Sequence, residues 1–345
     1  MTAPTLTTAR TVTTANPVLV EIWRGDILEC THRGAAAIAT PTGEVVEAWG
    51  DVSRVHLPRS ACKMIQALPM VESGAADAAG LDARHLALAC ASHGGTAAHT
   101  SIVAPWLAAL GLGEAALRCG SHPPLDAATR SEMRAGGGTV TQIHHQCSGK
   151  HSGFLTLSRH LAGDPDYHAP DHPVQRAVRA AMAETCGEDP AGPSVDGCSA
   201  PNFAVTLQGL ATAMARYAAP EAAGSDRRAT AMGRLRAAMK AHPVLIGYPA
   251  SWATRFTWAS TGGTVTKSGA DGGFAAILPE RGLGIAVKID DGDERAAAAV
   301  MAALLARCGV LDRADPSYRQ SAEAPIVNVR GIVCGGLRVG ADLSA

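Results

Sequence analysis

The chain has 345 residues, 47% of them hydrophobic, with a formal net charge of −1 and a mean hydropathy of +0.07. Balanced charge gives no basic footprint for nucleic acid and no polybasic patch for a membrane, and no apolar run approaches the roughly 20 residues of a membrane span. Aromatic residues make up only 4%, so the core must be built mainly from Ala, Leu, Val and Ile.

Residues 1–16 are Thr-rich, lack the apolar stretch of a secretory signal and read as a flexible tail. Residues 17–345 contain no repeat and no low-complexity linker, so a single domain is expected. Val18–Trp23 reads as a strand, and Ala35–Ala39 with Val45–Trp49 as a hairpin about Thr42-Gly43. Pro58 is placed to open a helix over Arg59–Met70, because its missing N–H would be unpaired there. Leu86–Ala91 is a short apolar run ending in Ser92-His93-Gly94-Gly95, a setting where backbone approaches ligands. Helices are expected over His99–Leu110, near Arg130, from Phe154 onward, and over Asp171–Cys186, Phe203–Arg216 and Arg227–Ala241, with Pro243 ending the last. Strands follow at Thr264–Lys267, Phe274–Leu278 and Leu283–Ile289, then a helix over Glu294–Cys308 and edge strands at Ile326–Val329 and Leu337–Val339. This order predicts a mixed α/β chain of the α+β type. Its antiparallel sheet comes from both termini, residues 17–57 and 257–345, around a helical region over about 58–256.

Lysine is the first chemical signal. Of 30 basic residues only five are lysine: Lys63, Lys150, Lys240, Lys267 and Lys288. Arginine cannot serve as a base and lysine can, once burial or a nearby cation lowers its pKa. Ser60 and Lys63, three apart on the expected helix, pair a nucleophile with a base at the positive end of a helix dipole. A lone Ser-x-x-Lys arises often by chance; the later Lys267-Ser268-Gly269 makes this one a catalytic candidate. His144-His145-Gln146-Cys147-Ser148-Gly149-Lys150-His151 is the densest polar cluster, and Asp196-Gly197-Cys198 is a second. Two cysteines flanked by small residues can hold zinc. On spacing alone His144, His145 or His151 would be further ligands, and the alternative is two buried thiols among hydrogen-bonded histidines. Nine cysteines, an odd number scattered along the chain, point to reduced thiols and a cytoplasmic protein.

Together, Arg59-Ser60-x-x-Lys63, Ser92-His93-Gly94, Cys147-Ser-Gly-Lys150-His151, Asp196-Gly-Cys198 and Lys267-Ser-Gly-x-Asp271-Gly resemble the class 3, rhizobial-type L-asparaginases, over about Val18–Val339. The resemblance implies a fold related to serine β-lactamases, penicillin-binding proteins and Ser-Lys glutaminases. It implies hydrolysis of L-asparagine to L-aspartate and ammonia by a homodimer. By position it implies Ser60 with Lys63, and Ser92 with Lys267, as catalytic pairs. It implies Arg59, His93, Asp196 and Asp271 as substrate-binding residues, and zinc on Cys147, Lys150 and Cys198 with Asp196 beside it. In this scheme Ser60 attacks, Lys63 is its base and the charge of Lys267 tunes Lys63, although the two serines can exchange roles. The Ser60 N–H is one oxyanion donor; the sequence does not identify the second. Other readings stay open: a glutaminase or other amide hydrolase on the same machinery, a zinc hydrolase with metal-activated water, or a non-catalytic binding protein.

Overall fold

The structure, a computed structural model, describes residues 15–223 and 226–344. Its strands are β1 (Val18–Arg24), β2 (Ile27–Ala39), β3 (Val45–Trp49), β4 (Val55–His56), β5 (Ala191–Val195), β6 (Pro201–Thr206), β7 (Val265–Gly269), β8 (Gly273–Leu278), β9 (Leu283–Ile289), β10 (Pro325–Val327) and β11 (Val333–Val339). Eight of them form an antiparallel sheet in the order β10-β11-β1-β2-β9-β8-β7, with β3 paired to β2 off that path. The remaining three form a small sheet, β4-β6-β5. The main sheet is therefore assembled from both ends of the chain, and helices fill the sequence between, as expected. No described helix is long and apolar enough to cross a membrane.

The central strands are buried on both faces, and the two faces differ in size. Alternate residues of a strand point to opposite sides. On one side Ala35, Ala37, Ala39, Ala275 and Ala286 join the core of the helical region. On the other Ile38, Phe274, Leu278, Ile285, Val287 and Ile289 pack against the helix Glu294–Arg307. The small side lets the helix Leu207–Ala218 lie almost on the sheet. A Cβ at Gly284 would sit 2.2 Å from both Ala211 O and Ala215 N. This accounts for an aromatic-poor, alanine-rich sequence that still forms a packed interior.

Several elements differ from expectation. The expected helix over Arg59–Met70 is a 3-10 turn, Arg59–Cys62, followed by an α-helix, Lys63–Glu72. Leu86–Ala91 lies mostly in a helix, Ala83–Ala89, capped by the Asp82 carboxylate. Phe203–Arg216 is not one helix. Residues 201–206 pair as a strand, and the helix starts at Leu207, where Thr206 Oγ1 accepts from Gly209 N. Pro243 ends one helix and opens another, Pro243–Ile246. β11 is not an edge strand, because β10 covers it. Of the expected tail, residues 1–14 lie outside the described residues. Asn16 is buried: its side chain donates to Asp290 and accepts from the Asp51 N–H.

The tight seat of Gly284 makes a prediction. Gly284→Ala drives a methyl group into helix backbone that no side-chain rotation can clear, and overpacking of this kind costs about 1–3 kcal/mol. The urea midpoint should fall with an unchanged m-value. A midpoint equal to wild type would show that the helix and sheet can separate freely.

Candidate active site

Three segments bring the chemistry together. The first is the turn Arg59–Cys62. Arg59 adopts a left-handed φ of 51°, which reorients the chain just before Ser60. The second is the end of β7, which passes so close that a Cβ at Gly269 would lie 2.8 Å from Pro58 O and 3.0 Å from Ala61 N. The third is the loop at Ser92, fixed by Ser92 N donating to Ile246 O and Gly94 N to Gly247 O. Ser60, Ser92 and Ser268–Ala270 line one cavity of about 390 Å³, with Gln146, Tyr248 and Trp252 on its other walls.

Ser92 stands between two buried lysines. Lys63 Nζ donates to Ser92 Oγ (3.0 Å), Ala91 O (2.5 Å) and Cys147 Sγ (3.1 Å), one acceptor for each of three N–H bonds. Lys267 Nζ lies 2.8 Å from Ser92 Oγ and donates to Ser268 O (2.7 Å). Burial, then the charge of Lys63, hold the Lys267 amine well below its ordinary 10.5. A neutral Lys267 keeps a lone pair, so it can accept the Ser92 proton. The tuning thus runs opposite to expectation: Lys63 depresses Lys267. The spacing argument for Ser60 and Lys63 also gives a different result here. Among the described residues no hydrogen bond joins their side chains, and the three N–H bonds of Lys63 go to Ala91, Ser92 and Cys147 instead.

Around Ser60 the charges are locked. Arg59 Nε donates to Asp196 Oδ1 (2.5 Å), and its Nη1 donates to Asp271. Burial would raise the Asp196 carboxyl, but Lys150, Arg59 and Cys198 bring it down to about 2. Asp196 Oδ2 accepts from Cys198 Sγ (3.2 Å), and Lys150 Nζ reaches the same sulfur at 3.0 Å. Its hydrogen bond with Cys198 holds Cys147 well below an ordinary thiol; burial opposes this, and Lys63 and Lys150 reinforce it. Cys198 is correspondingly raised. Cys147, Lys150 and Cys198 therefore converge as expected. Among the described residues no three His, Cys, Asp or Glu side chains are arranged as a metal site, so a metal here would need the lysine as third ligand. Two sulfurs, one already favouring thiolate, suit zinc; the amine must first give up a proton, because against burial the Cys198 and Cys147 sulfurs hold Lys150 above its ordinary value. In addition, buried His151 Nε2 has no hydrogen-bond partner among the described residues, and burial holds that ring neutral, its pKa lowered to about 4 against the opposing pull of Cys198. His144 and His145, the other candidate ligands, use Nδ1 to accept from the Thr141 and Cys147 N–H groups.

His93 stands apart from the other expected substrate-binding residues. It is fully buried, its Nδ1 accepts from Gly95 N and its Nε2 contacts Ser148 Oγ (2.9 Å), so it braces the Ser92 loop from behind. Two cavity features escaped the sequence reading. Ala270 has no backbone partner for its N–H among the described residues and lies on the cavity wall with Ser60. Glu294 is the only charged side chain on that lining.

The family model for L-asparaginase II matches residues 20–339. The chain belongs to the L-asparaginase II family. Membership makes it an amide hydrolase, with a small molecule as substrate. Comparison with curated proteins gives no match. Among solved structures it is similar to a β-lactamase from Mycobacterium bovis, with 16% identity, a TM-score of 0.43 and coverage of 77% of this chain and 89% of the other. It is also similar to Mglu in its native form (17% identity, TM-score 0.44, 82% and 66% covered). A third is a putative β-lactamase from Bacteroides dorei (11%, 0.41, 74% and 84%).

The close approach of β7 to the Ser60 turn is testable in this asparaginase-family chain. Gly269→Ala must push the turn outward, and misplacing a reacting group by about 1 Å costs on the order of 100-fold in rate. We expect kcat for ammonia release to fall by about that factor with a small change in melting temperature. An unchanged kcat would separate the turn from the chemistry.

Proposed function

We propose that the chain hydrolyses the side-chain amide of L-asparagine, giving L-aspartate and ammonia, by serine chemistry driven by a lysine pair. The observation that carries the reading is Ser92 Oγ held between Lys63 and Lys267 on the wall of a cavity that also exposes Ser60. Amide hydrolysis needs a nucleophile, a proton acceptor, oxyanion stabilisation and a proton for the leaving ammonia. Ser60 is the nucleophile: its hydroxyl has no hydrogen bond among the described residues, and the Arg59 clamp fixes it against the cavity. Its proton passes to the Ser92–Lys267 pair. The backbone N–H groups of Ser60 and Ala270 receive the negative charge that develops on the amide oxygen. Lys63, with donors spread over Ser92, Ala91 and Cys147, returns a proton through Ser92 to the departing ammonia. Lys267 then passes its proton through Ser92 to Lys63, which restores the pair. Water attacks the acyl-enzyme and gives its proton to the Ser92–Lys267 pair, and that proton returns to Ser60 as the ester bond breaks.

A zinc ion belongs to this proposal at Cys147, Lys150 and Cys198. When bound, it supplies a fixed positive charge beside the Arg59–Asp196 pair that favours an anionic group of the substrate. The residues that handle protons, Ser92, Lys63 and Lys267, lie outside that set. We also propose that the active form is a cytoplasmic homodimer; support for this is the family likeness and the cysteine usage alone.

One observation favours exchanging the serines: both lysines contact Ser92, and neither hydrogen-bonds Ser60. Acid-quenched turnover followed by peptide mass spectrometry decides, by placing the acyl group on Ser60 or on Ser92. Ser60→Ala should lower kcat by several orders of magnitude with the fold intact. Retention of more than about a tenth of the wild-type rate would end the assignment.

The lysine pair makes a pH prediction. A base with a lowered pKa is competent above that pKa and protonated below it. Activity should therefore rise with pH through a limb well below 10.5, the ordinary lysine value. Lys267→Arg keeps charge but cannot offer a lone pair, so the rate should collapse across the whole pH range. A wild-type-like profile in that variant would reduce Lys267 to an electrostatic support. Metal removal by chelator should raise KM more than it lowers kcat, because none of Ser92, Lys63 and Lys267 is a ligand of the proposed ion and only Lys63 reaches one of its ligands, Cys147. Loss of kcat to the Ser60→Ala level would instead favour a metal-activated water.

A further inference from the structure

The cavity at Ser60 and Ser92 has two unlike electrostatic features. Lys63 and Lys267 are buried behind Ser92, and Glu294 is the only charged side chain on the lining itself. Glu294 is exposed, lies in the first turn of the helix Glu294–Arg307 and has no hydrogen bond or ion pair with any described side chain. Capping of that helix falls to its neighbour, since Asp293 Oδ1 accepts from Ala296 N. The Glu294 carboxylate also acts on the cavity: after burial, it is the largest influence keeping the Tyr248 hydroxyl protonated.

The nearby carboxylates are already engaged. Asp196 accepts from Arg59 and Cys198, and Asp271 accepts from Arg59. Asp126 accepts from Thr129 N and Thr129 Oγ1, both at 2.8 Å. Glu294 is left as the carboxylate facing the cavity without a partner.

We propose that Glu294 binds the α-ammonium group of the substrate and so restricts the site to amides that carry a free α-amino group. This rests on the amide-hydrolase reading above. A cationic group entering the cavity is repelled by the charge of Lys63 and attracted by Glu294. Pairing there turns the substrate so that its neutral amide meets the serines. Glu294 is thus a specificity residue that contributes to ground-state and transition-state binding alike, and its loss appears in KM.

The test compares L-asparagine with succinamic acid, which keeps the amide and the carboxylate but lacks the amine. In Glu294→Gln, KM for L-asparagine should rise about three- to fivefold with kcat within about twofold, as expected for loss of one exposed charge pair. kcat/KM for succinamic acid should not change. Glu294→Asp, which keeps the charge on a shorter arm, should fall between wild type and Glu294→Gln, and provides the comparison if the glutamine variant does not fold. Equal losses on both substrates would show that Glu294 only supports the helix, and no loss on L-asparagine would show that the ammonium binds elsewhere; either result overturns the inference. If wild type releases ammonia from neither amide, the functional reading fails and the role of Glu294 falls with it. That result is distinct, because it appears before any variant is measured.

Discussion

Two buried lysines sharing one serine oxygen form the constraint on which the site depends. Two ammonium groups reaching one hydroxyl in a dry interior repel each other strongly, and burial penalises both. The protein resolves this unequally. Lys63 is given a backbone carbonyl, a hydroxyl and a thiol that favours its thiolate form. Lys267 receives only Ser92 and the Ser268 carbonyl, and its charge is suppressed. The result is an amine held well below the ordinary lysine value, which an exposed lysine cannot provide. β7 delivers Lys267, the first turn of the helix Lys63–Glu72 delivers Lys63, and the loop pinned to Ile246 and Gly247 delivers Ser92.

A second cost is visible in the backbone. Among the described residues four non-glycine positions have a left-handed φ, and three belong to this neighbourhood: Arg59 at 51°, Asp271 at 57° and Ser199, beside Cys198, at 68°. Each costs free energy and persists only where its surroundings hold it. Here the restraint is chemical: Arg59 and Asp271 are joined to each other, and Asp196 joins Arg59 to the thiol cluster. The geometry at Ser60 is therefore maintained by charges as well as by packing.

Much of this was legible in the sequence, and the failures have physical causes. Alternation and turn residues marked β1, the β2–β3 hairpin and β7 through β9. The motif residues also came together, since Ser92, Lys63, Lys267, Cys147 and Cys198 form one connected network. The strand at Pro201–Thr206 was hidden because the apolar run continues into the next helix without a breaker; Thr206, as a helix N-cap, was the available signal. Sequence separation places Ser60 and Lys63 on one helical face, but spacing within one segment cannot show that Ala91, Ser92 and Cys147, distant in sequence, take all three donors of Lys63. His93 was read with its motif neighbours, and nothing in the sequence shows that its ring faces inward. Glu294 was invisible as a site residue because an acid in the first turn of a helix already has an ordinary explanation.

The unequal faces of the central sheet have a consequence for how this protein can change. Along β2, Ala35, Ala37 and Ala39 face helices laid directly on the strand, while Ala36 and Ile38 face a core of larger, more adaptable side chains. Volume can be redistributed on the second face, where one side chain grows as its neighbour shrinks. On the first face the obstacle is main chain, which cannot shrink in response. Sequence drift in the sheet should thus be confined to every second residue, and the half expected to stay constant is the side on which the helix Leu207–Ala218 lies and that shares a core with the helix Lys63–Glu72. The fold's freedom to vary and its ability to hold the site are assigned to opposite sides of the same strands.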